Sequence, residues 1–166
     1  MRKTKNLIGK VALVTGATGQ LGRVFSRGLA NNGATVWVSD INLEKCKEIV
    51  DQLEEETGRK HYSSCMDVTS EESVVKTMGE IQNNSGQLDI LINNAGTAVF
   101  SDYLSRSKEE FMSVVEVNLY GSFLCIQKAS VLMEKENNSG SIINIGSIYG
   151  MVSGDPGIYK DCNRNT

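Results

Sequence analysis

Short apolar runs alternate with amphipathic stretches along most of this chain. The apolar runs predict strands at residues 10–15, 35–40, 60–68, 88–94 and 140–147. The stretches between them repeat apolar residues with a helical period and predict helices at residues 21–33, 42–58, 70–82 and 107–134. The apolar strands lack strict alternation, which indicates that both faces of the sheet are buried.

Strands that alternate with helices predict an α/β fold in which a parallel sheet is wrapped by helices. Because crossovers between parallel strands are right-handed, we expect a doubly wound, Rossmann-like sheet of five strands in the order 3-2-1-4-5. The sequence shows no internal repeat and no linker, so residues 1–166 are expected to form a single domain.

Composition excludes several classes of function. The net charge is -3 and residues of both signs are interspersed, so the sequence has no stripe of basic residues that would predict nucleic-acid binding. No apolar run approaches the ~20 residues of a membrane span, and the basic start is followed by too short an apolar stretch for a signal peptide. The four cysteines form no C-x-x-C pair and there is a single histidine, which argues against a metal site. We expect a cytoplasmic protein with reduced thiols.

A glycine-rich segment, TGATGQLG at residues 15–22, lies between the first predicted strand and the first predicted helix. In that position Gly16 suits a tight turn, Gly19 lets the backbone approach a pyrophosphate, and Gly22 lets the helix pack closely on the sheet. The helix N-terminus would then face the phosphates with its partial positive charge. An ordinary glycine-rich turn is the alternative interpretation.

Asp40 ends the second predicted strand. A carboxylate there can accept hydrogen bonds from both ribose hydroxyls of an adenosine. It would repel a 2′-phosphate by about 1–4 kcal/mol at ~4 Å, and no basic residue follows in INLE to reverse that effect. The position therefore predicts NAD in preference to NADP. A helix cap within SDINLE is the alternative role for this aspartate.

Further motifs resemble the short-chain dehydrogenase/reductase family, over residues 9–147. They are NNAG at 93–96, Asn118 in EVNLYGSF, Ser147 in GSIINIGS and Asp67 in MDVT, which matches the family aspartate near the adenine ring. The glycine spacing departs from the family pattern, because T-G-x-x-G-x-x-G resembles the larger epimerase and dehydratase branch or its cofactor-sensing relatives. The later motifs favour the dehydrogenase/reductase branch.

The resemblance implies a dinucleotide-binding domain that transfers a hydride between a nicotinamide and a small alcohol or carbonyl substrate, such as a sugar derivative. Ser147 would hydrogen-bond the substrate oxygen, Asn118 would hold a water in a proton relay, and the helix at 107–134 could serve a homo-oligomer. The predicted cofactor-binding residues are Gly16, Thr18, Gly19, Gln20, Leu21, Gly22, Asp40, Asp67, Val68, Asn94, Ala95 and Gly96. Structural roles stay open for NNAG as a tight turn, Asn118 as a buried amide and Ser147 as a helix cap.

The catalytic pair that the resemblance implies, a tyrosine with a lysine four residues later, is not found in the 166 residues. Tyr159 is followed four positions on by Asn163, and Lys160 is adjacent to it. Because Pro156 and Gly157 signal a turn, we expect Tyr159 to be a loop residue and not the acid–base group. The chain would then be C-terminally incomplete. A non-catalytic dinucleotide-binding module or an inactive fragment is the alternative function.

Overall fold

Strands and helices alternate along the residues that the computed structural model describes, 7–135 and 139–152. The strands are β1 (Val11–Thr15), β2 (Thr35–Asp40), β3 (Tyr62–Cys65), β4 (Ile90–Asn93) and β5 (Ser141–Asn144). The α-helices are α1 (Gln20–Asn31), α2 (Leu43–Thr57), α3 (Glu71–Ser85), α4 (Lys108–Val115) and α5 (Ser122–Lys135). A π-helical segment, Glu116–Gly121, joins α4 to α5, and 3-10 turns occur at Tyr103–Ser105 and Ile148–Gly150.

The strands form one parallel sheet in the order β3-β2-β1-β4-β5. This confirms the predicted doubly wound α/β fold and its strand order. Every residue of β1 is buried, as the lack of alternation in its sequence predicts. Because the strands are parallel, their carboxyl ends meet at one edge of the sheet, where ligands bind in folds of this kind.

Two apolar clusters cover the two faces of the sheet. On one face Val11 and Leu13 of β1 pack with apolar residues of α3 and α5. On the other face Ala12 and Val14 pack with residues of α1 and α2. The alternation of neighbouring β1 residues between the two clusters follows from the period of two in an extended strand. The helices therefore lie on both faces of the sheet. The glycine loop, which connects β1 to α1, lies at the carboxyl edge.

The predicted helix at 107–134 differs most from what is observed. The chain runs as α4, the π-helical segment and α5, so the regular α-helical period is interrupted over Glu116–Gly121. The predicted strand at 60–68 is shorter as well, because β3 pairs with β2 only over Tyr62–Cys65. Helix α3 is capped by the Ser70 side chain, which accepts the Ser73 N–H at 3.3 Å, and it extends to Ser85, beyond the predicted end at residue 82.

His61 is a buried polar group between α2 and β3. Its Nδ1 accepts the backbone N–H of Val36 at 3.1 Å, and its Nε2 lies 3.0 Å from the Thr57 hydroxyl. Because Nδ1 is an acceptor here, the neutral imidazole fits this environment and the imidazolium does not. Burial accordingly lowers the pKa of His61.

Other expectations concern the thiols, the membrane and the end of the chain. Cys46, Cys65 and Cys125 are free, and burial raises the pKa of the Cys46 and Cys125 thiols to about 12. Within residues 7–135 and 139–152, no helix combines the length and apolar character that crossing a membrane requires. Tyr159 and Lys160 lie outside the described residues.

Candidate nucleotide-binding site

Two adjoining cavities lie at the carboxyl edge of the sheet and share Gly16, Asp40 and Gly96. The larger, about 540 Å³, is called the β2–β3 cavity here and is lined by residues that follow those two strands, by the turn after β4 and by the start of the π-helical segment. The smaller, about 370 Å³, is called the loop cavity and is lined mainly by the glycine loop. Both volumes lie within the range of small-molecule sites, about 300–1,000 Å³.

The structure brings most of the predicted cofactor-binding residues together around these cavities. Besides the shared residues, the β2–β3 cavity is lined by Asp67, Val68 and Ala95 of that set. The members of the set that line the loop cavity are Thr18, Gly19, Gln20, Leu21 and Asn94. Gly22 lines neither cavity and has a packing role instead.

The glycine loop is shaped by close backbone contacts. Gly16 has a φ of +60°, and a Cβ placed on it would lie 2.7 Å from the Ala95 Cα. A Cβ on Gly22 would lie 2.4 Å from the Gly16 carbonyl oxygen and 2.6 Å from the Ala17 Cα. A Cβ on Gly19 would meet only the Gly16 carbonyl oxygen, at an ordinary 3.4 Å. Gly16 and Gly22 are therefore required by the fold of the loop itself, whereas Gly19 is not.

The N-terminus of α1 opens onto the loop cavity. Its first intrahelical bond is donated by the Arg23 N–H to the Gly19 carbonyl, so the N–H groups of the first turn have no acceptor within the helix. Gln20 and Leu21 of that turn line the cavity. Unpaired N–H groups and the helix dipole together favour an anion such as a phosphate.

Asp40 lies where the two cavities meet and is held by the glycine loop. Its Oδ2 accepts the Thr18 N–H at 3.1 Å and the Thr18 hydroxyl at 2.8 Å. Its Oδ1 accepts the Asn42 N–H at 3.3 Å. The side-chain cap of α2 is provided by Asn42, which accepts the Lys45 N–H at 3.1 Å. The capping role considered for Asp40 therefore belongs to Asn42.

The NNAG turn is tied to the end of β1 through Thr15, a residue that sequence reasoning missed. The buried Thr15 hydroxyl accepts the N–H groups of Asn94 and Ala95 at 3.0 and 2.9 Å. The Asn94 side-chain amide donates to the carbonyls of Thr15 and Gly16, both at 3.0 Å. The sequence did contain a signal for a role of Thr15 in the site, because this residue ends the first predicted strand directly before Gly16. Thr15 and Asn94 together fix the turn against the glycine loop.

Asn118 lies in the π-helical segment and holds the chain just after NNAG. Its Oδ1 accepts the Thr97 N–H at 2.8 Å, and its Nδ2 donates to the Thr97 carbonyl at 2.9 Å. The residue is exposed, so the buried amide that the sequence left open is not what is found. Thr97 uses one of the two N–H donors and one of the two oxygen lone pairs of the amide, so a water can still bond to this side chain.

Ser147 is exposed and follows β5 at the same edge of the sheet. Its Oγ accepts the Tyr149 N–H at 3.2 Å and caps the 3-10 turn at Ile148–Gly150. The capping role that the sequence left open is therefore present. That bond uses a lone pair, so the hydroxyl proton can still be donated to another group. Neither Ser147 nor Asn118 lines the two cavities.

At Gly121 the π-helical segment packs against Val68 in the wall of the β2–β3 cavity. A Cβ on Gly121 would lie 2.6 Å from the Val68 Cγ2 and 3.3 Å from the Val68 carbonyl oxygen. Val68 lines the cavity. The position of this cavity wall therefore depends on the absence of a side chain at residue 121.

The charges that line the cavities are acidic. Asp40, Asp67 and Glu116 line the β2–β3 cavity, and neither a lysine nor an arginine is among the described residues that line either cavity. Arg23 approaches from outside, where its Nε donates to the Thr18 carbonyl at 3.0 Å. No group of three or more potential metal ligands occurs within residues 7–135 and 139–152.

Known proteins resemble this chain over most of its length. A family profile described as short chain dehydrogenase matches residues 10–158. The 3-oxoacyl-acyl-carrier-protein reductase FabG of Aquifex aeolicus is 38% identical over 144 residues, which are 87% of this chain and 58% of the relative. The cyclopentanol dehydrogenase of Comamonas testosteroni is 36% identical over 148 residues, 89% of this chain and 58% of the relative.

Solved structures agree with these relatives. A short-chain type dehydrogenase/reductase from Mycobacterium marinum superposes with a TM-score of 0.87 at 29% identity, covering 91% of this chain and 61% of that one. An NAD⁺-bound xylitol dehydrogenase superposes with a TM-score of 0.85 at 30% identity, covering 96% and 61%. The chain thus spans 58% to 61% of the lengths of these four proteins.

Proposed function

The chain belongs to the short-chain dehydrogenase family, and we propose that it provides the nucleotide-binding part of an NAD-dependent oxidoreductase. The reaction is hydride transfer between the cofactor and a small alcohol or carbonyl compound, such as a sugar derivative. Relatives named as a cyclopentanol dehydrogenase and a xylitol dehydrogenase support this class of substrate.

The observation that carries the proposal is the position of Asp40 between the two cavities. The loop cavity offers N–H donors of a helix N-terminus for the pyrophosphate, and the β2–β3 cavity has the size of a small-molecule site. A carboxylate at their junction is placed for the ribose between them. In this arrangement Asp67 and Val68 lie beside the adenine.

The residues present fit a dinucleotide. Gly16 and Gly19 of the loop line the loop cavity and carry no side chain that would occupy it. Thr15 and Asn94 hold the NNAG turn against this loop, so that Ala95 and Gly96 line the β2–β3 cavity. The nicotinamide supplies the hydride chemistry when bound, and the chain supplies orientation and electrostatics.

Ser147 and Asn118 carry the proposed catalytic roles. Ser147 retains a hydroxyl proton that it can donate to a substrate oxygen, which would polarise a carbonyl group. Asn118 positions the segment after NNAG through its two bonds to Thr97. The second N–H and the second oxygen lone pair of its amide remain for a water of a proton relay.

The proposal extends to the surroundings of the protein. We place it in the cytoplasm, acting on a small molecule and without nucleic-acid or membrane partners. Large apolar side chains of the α4–α5 region are exposed, Phe111 by 59%, Leu119 by 67% and Phe123 by 54%. Such a surface is typical of interaction sites and supports the expected homo-oligomer.

Cofactor choice tests the proposal. Repulsion of about 1–4 kcal/mol between Asp40 and a 2′-phosphate corresponds to about 5-fold to several hundred-fold in affinity, and exposure to water favours the lower end. We expect NAD⁺ to bind at least about 5-fold more tightly than NADP⁺ in calorimetric titrations. Asp40→Ala should narrow this ratio, while Asp51→Ala, which removes an exposed carboxylate of α2, should not. Tighter binding of NADP⁺ by the unmodified chain would contradict the proposal.

A further inference from the structure

The bonds between Thr18 and Asp40 limit what the carboxylate can offer to a ribose. Oδ2 accepts both the N–H and the hydroxyl of Thr18, at 3.1 and 2.8 Å. A carboxylate oxygen has about two lone-pair directions, so Oδ2 is filled by these two donors. Oδ1 accepts the Asn42 N–H at 3.3 Å and has about one direction left. Asp40 can therefore accept one further donor while these bonds persist.

A ribose with free 2′- and 3′-hydroxyls presents two donors, and the second needs another acceptor. The Thr18 hydroxyl is the nearest candidate, because it is bonded to Asp40 and Thr18 lines the loop cavity. An ionised carboxylate only accepts hydrogen bonds, so the Thr18 hydroxyl must donate its single proton to Oδ2. Its lone pairs stay available to a ligand in the cavity.

We propose that Thr18 is a specificity-determining residue that reads the adenosine ribose together with Asp40. One ribose hydroxyl donates to Asp40 Oδ1 and the other donates to Thr18 Oγ1. This inference rests on the proposed function, since it concerns the same ribose and the same cofactor. It gives Thr18 a role distinct from phosphate binding in the glycine loop.

The same bond makes Thr18 unfavourable for a 2′-phosphate. A phosphate dianion needs donors, and the one proton of the Thr18 hydroxyl is held by Asp40. No lysine or arginine lines the loop cavity among the described residues. A 2′-phosphate would therefore meet the lone pairs of both residues. Thr18 adds to the discrimination by the direction of its hydrogen bond and not by its charge.

Thr18→Val and Thr18→Ser test the proposal as a matched pair. Valine has the shape of threonine without the hydroxyl, and serine keeps the hydroxyl. The probes are NAD⁺ and its analogues with 2′-deoxyadenosine or 3′-deoxyadenosine, titrated by calorimetry into chains that show wild-type circular dichroism. We expect Thr18→Val to weaken NAD⁺ binding by about 3- to 10-fold, the effect of one hydrogen bond, and Thr18→Ser to change it less than about 2-fold.

The analogues separate recognition from a general effect on the loop. For whichever analogue lacks the hydroxyl that donates to Thr18, Thr18→Val should cost less than about 2-fold, because the bond is already absent. Equal losses for NAD⁺ and for both analogues would overturn the proposal and leave Thr18 a structural role only. A wild-type chain that binds no dinucleotide would overturn the proposed function itself, and this inference with it.

Discussion

Gly22 is the position at which one added methyl group should most clearly disturb the glycine loop. A Cβ there would lie 2.4 Å from the Gly16 carbonyl oxygen and 2.6 Å from the Ala17 Cα. Both partners are backbone atoms, so neither can move aside by changing a rotamer. Gly22→Ala therefore forces α1 away from the loop. Gly28 lies in the same helix and is a matched control, because a Cβ there meets nothing within 4 Å.

The magnitude follows from two opposing effects. Alanine in place of glycine within a helix gains up to about 1 kcal/mol in intrinsic propensity. Overpacking a close contact costs about 1–3 kcal/mol, and occasionally more. Gly28→Ala should receive only the gain, whereas Gly22→Ala receives both. Because the gain is common to both variants, we expect their free energies of unfolding to differ by the cost of the close contact, about 1–3 kcal/mol, with Gly22→Ala the less stable of the two.

Urea unfolding followed by circular dichroism measures this difference, and a thermal melt checks it. For a chain of this size each kcal/mol shifts Tm by about 2–4 °C, so the two variants should melt at least about 2 °C apart. Gly22→Ala should also weaken NAD⁺ binding, since the loop cavity changes shape, whereas Gly28→Ala should not. If Gly22→Ala is as stable as Gly28→Ala, the close helix–loop contact is not what requires glycine here.

Three further predictions concern other parts of the molecule. Gly121→Ala should displace Val68 from the wall of the β2–β3 cavity and lower NAD⁺ affinity in calorimetric titrations. Gly79→Ala is the control, because a Cβ there meets nothing within 4 Å, and equal affinities of the two variants would show that the Gly121–Val68 contact does not shape the site. The free energy of unfolding measured in urea should fall as the pH drops below about 6.5, because burial lowers the pKa of His61 in the folded chain and the unfolded chain then binds the proton more readily. His61→Gln should flatten this part of the dependence of stability on pH, and an unchanged dependence would show that His61 does not cause it. In any longer form of the protein that contains a Tyr-x-x-x-Lys pair, Tyr159→Phe should leave hydride transfer largely intact, whereas phenylalanine in place of the tyrosine of that pair should abolish it. Loss of activity in Tyr159→Phe alone would make Tyr159 the acid–base group.

The sequence was sufficient for the strand order because the signals are local and repeated. Each apolar strand is followed by a helix, and the right-handed crossover leaves few topologies. The order β3-β2-β1-β4-β5 is the one expected. The predicted cofactor-binding residues could also be placed around the cavities from the sequence, since they follow or close predicted strands and parallel strands end at one edge.

The π-helical segment and the contacts within the site were not predictable in the same way. A helical period of apolar residues does not reveal a π-helical segment within the helix. The close packing of this segment at Gly121 is against Val68, a residue far away in the sequence. The bonds of Asp40 with Thr18 and of Thr15 with Ala95 join residues 22 and 80 positions apart. Residue types alone do not specify which donor meets which acceptor. A pattern therefore identifies the members of the site but not their hydrogen bonds.

A crystal structure of the chain with NAD⁺ measures the placement of the cofactor directly. The adenine should lie in the β2–β3 cavity beside Asp67 and Val68, and the pyrophosphate should lie at the N-terminus of α1. A ribose hydroxyl of the adenosine should lie about 3 Å from the Asp40 Oδ1, the distance of a hydrogen bond to an ionised acceptor. An ordered dinucleotide at another surface, or an adenosine ribose out of hydrogen-bond reach of Asp40, would contradict the assignment of this crevice as an NAD site.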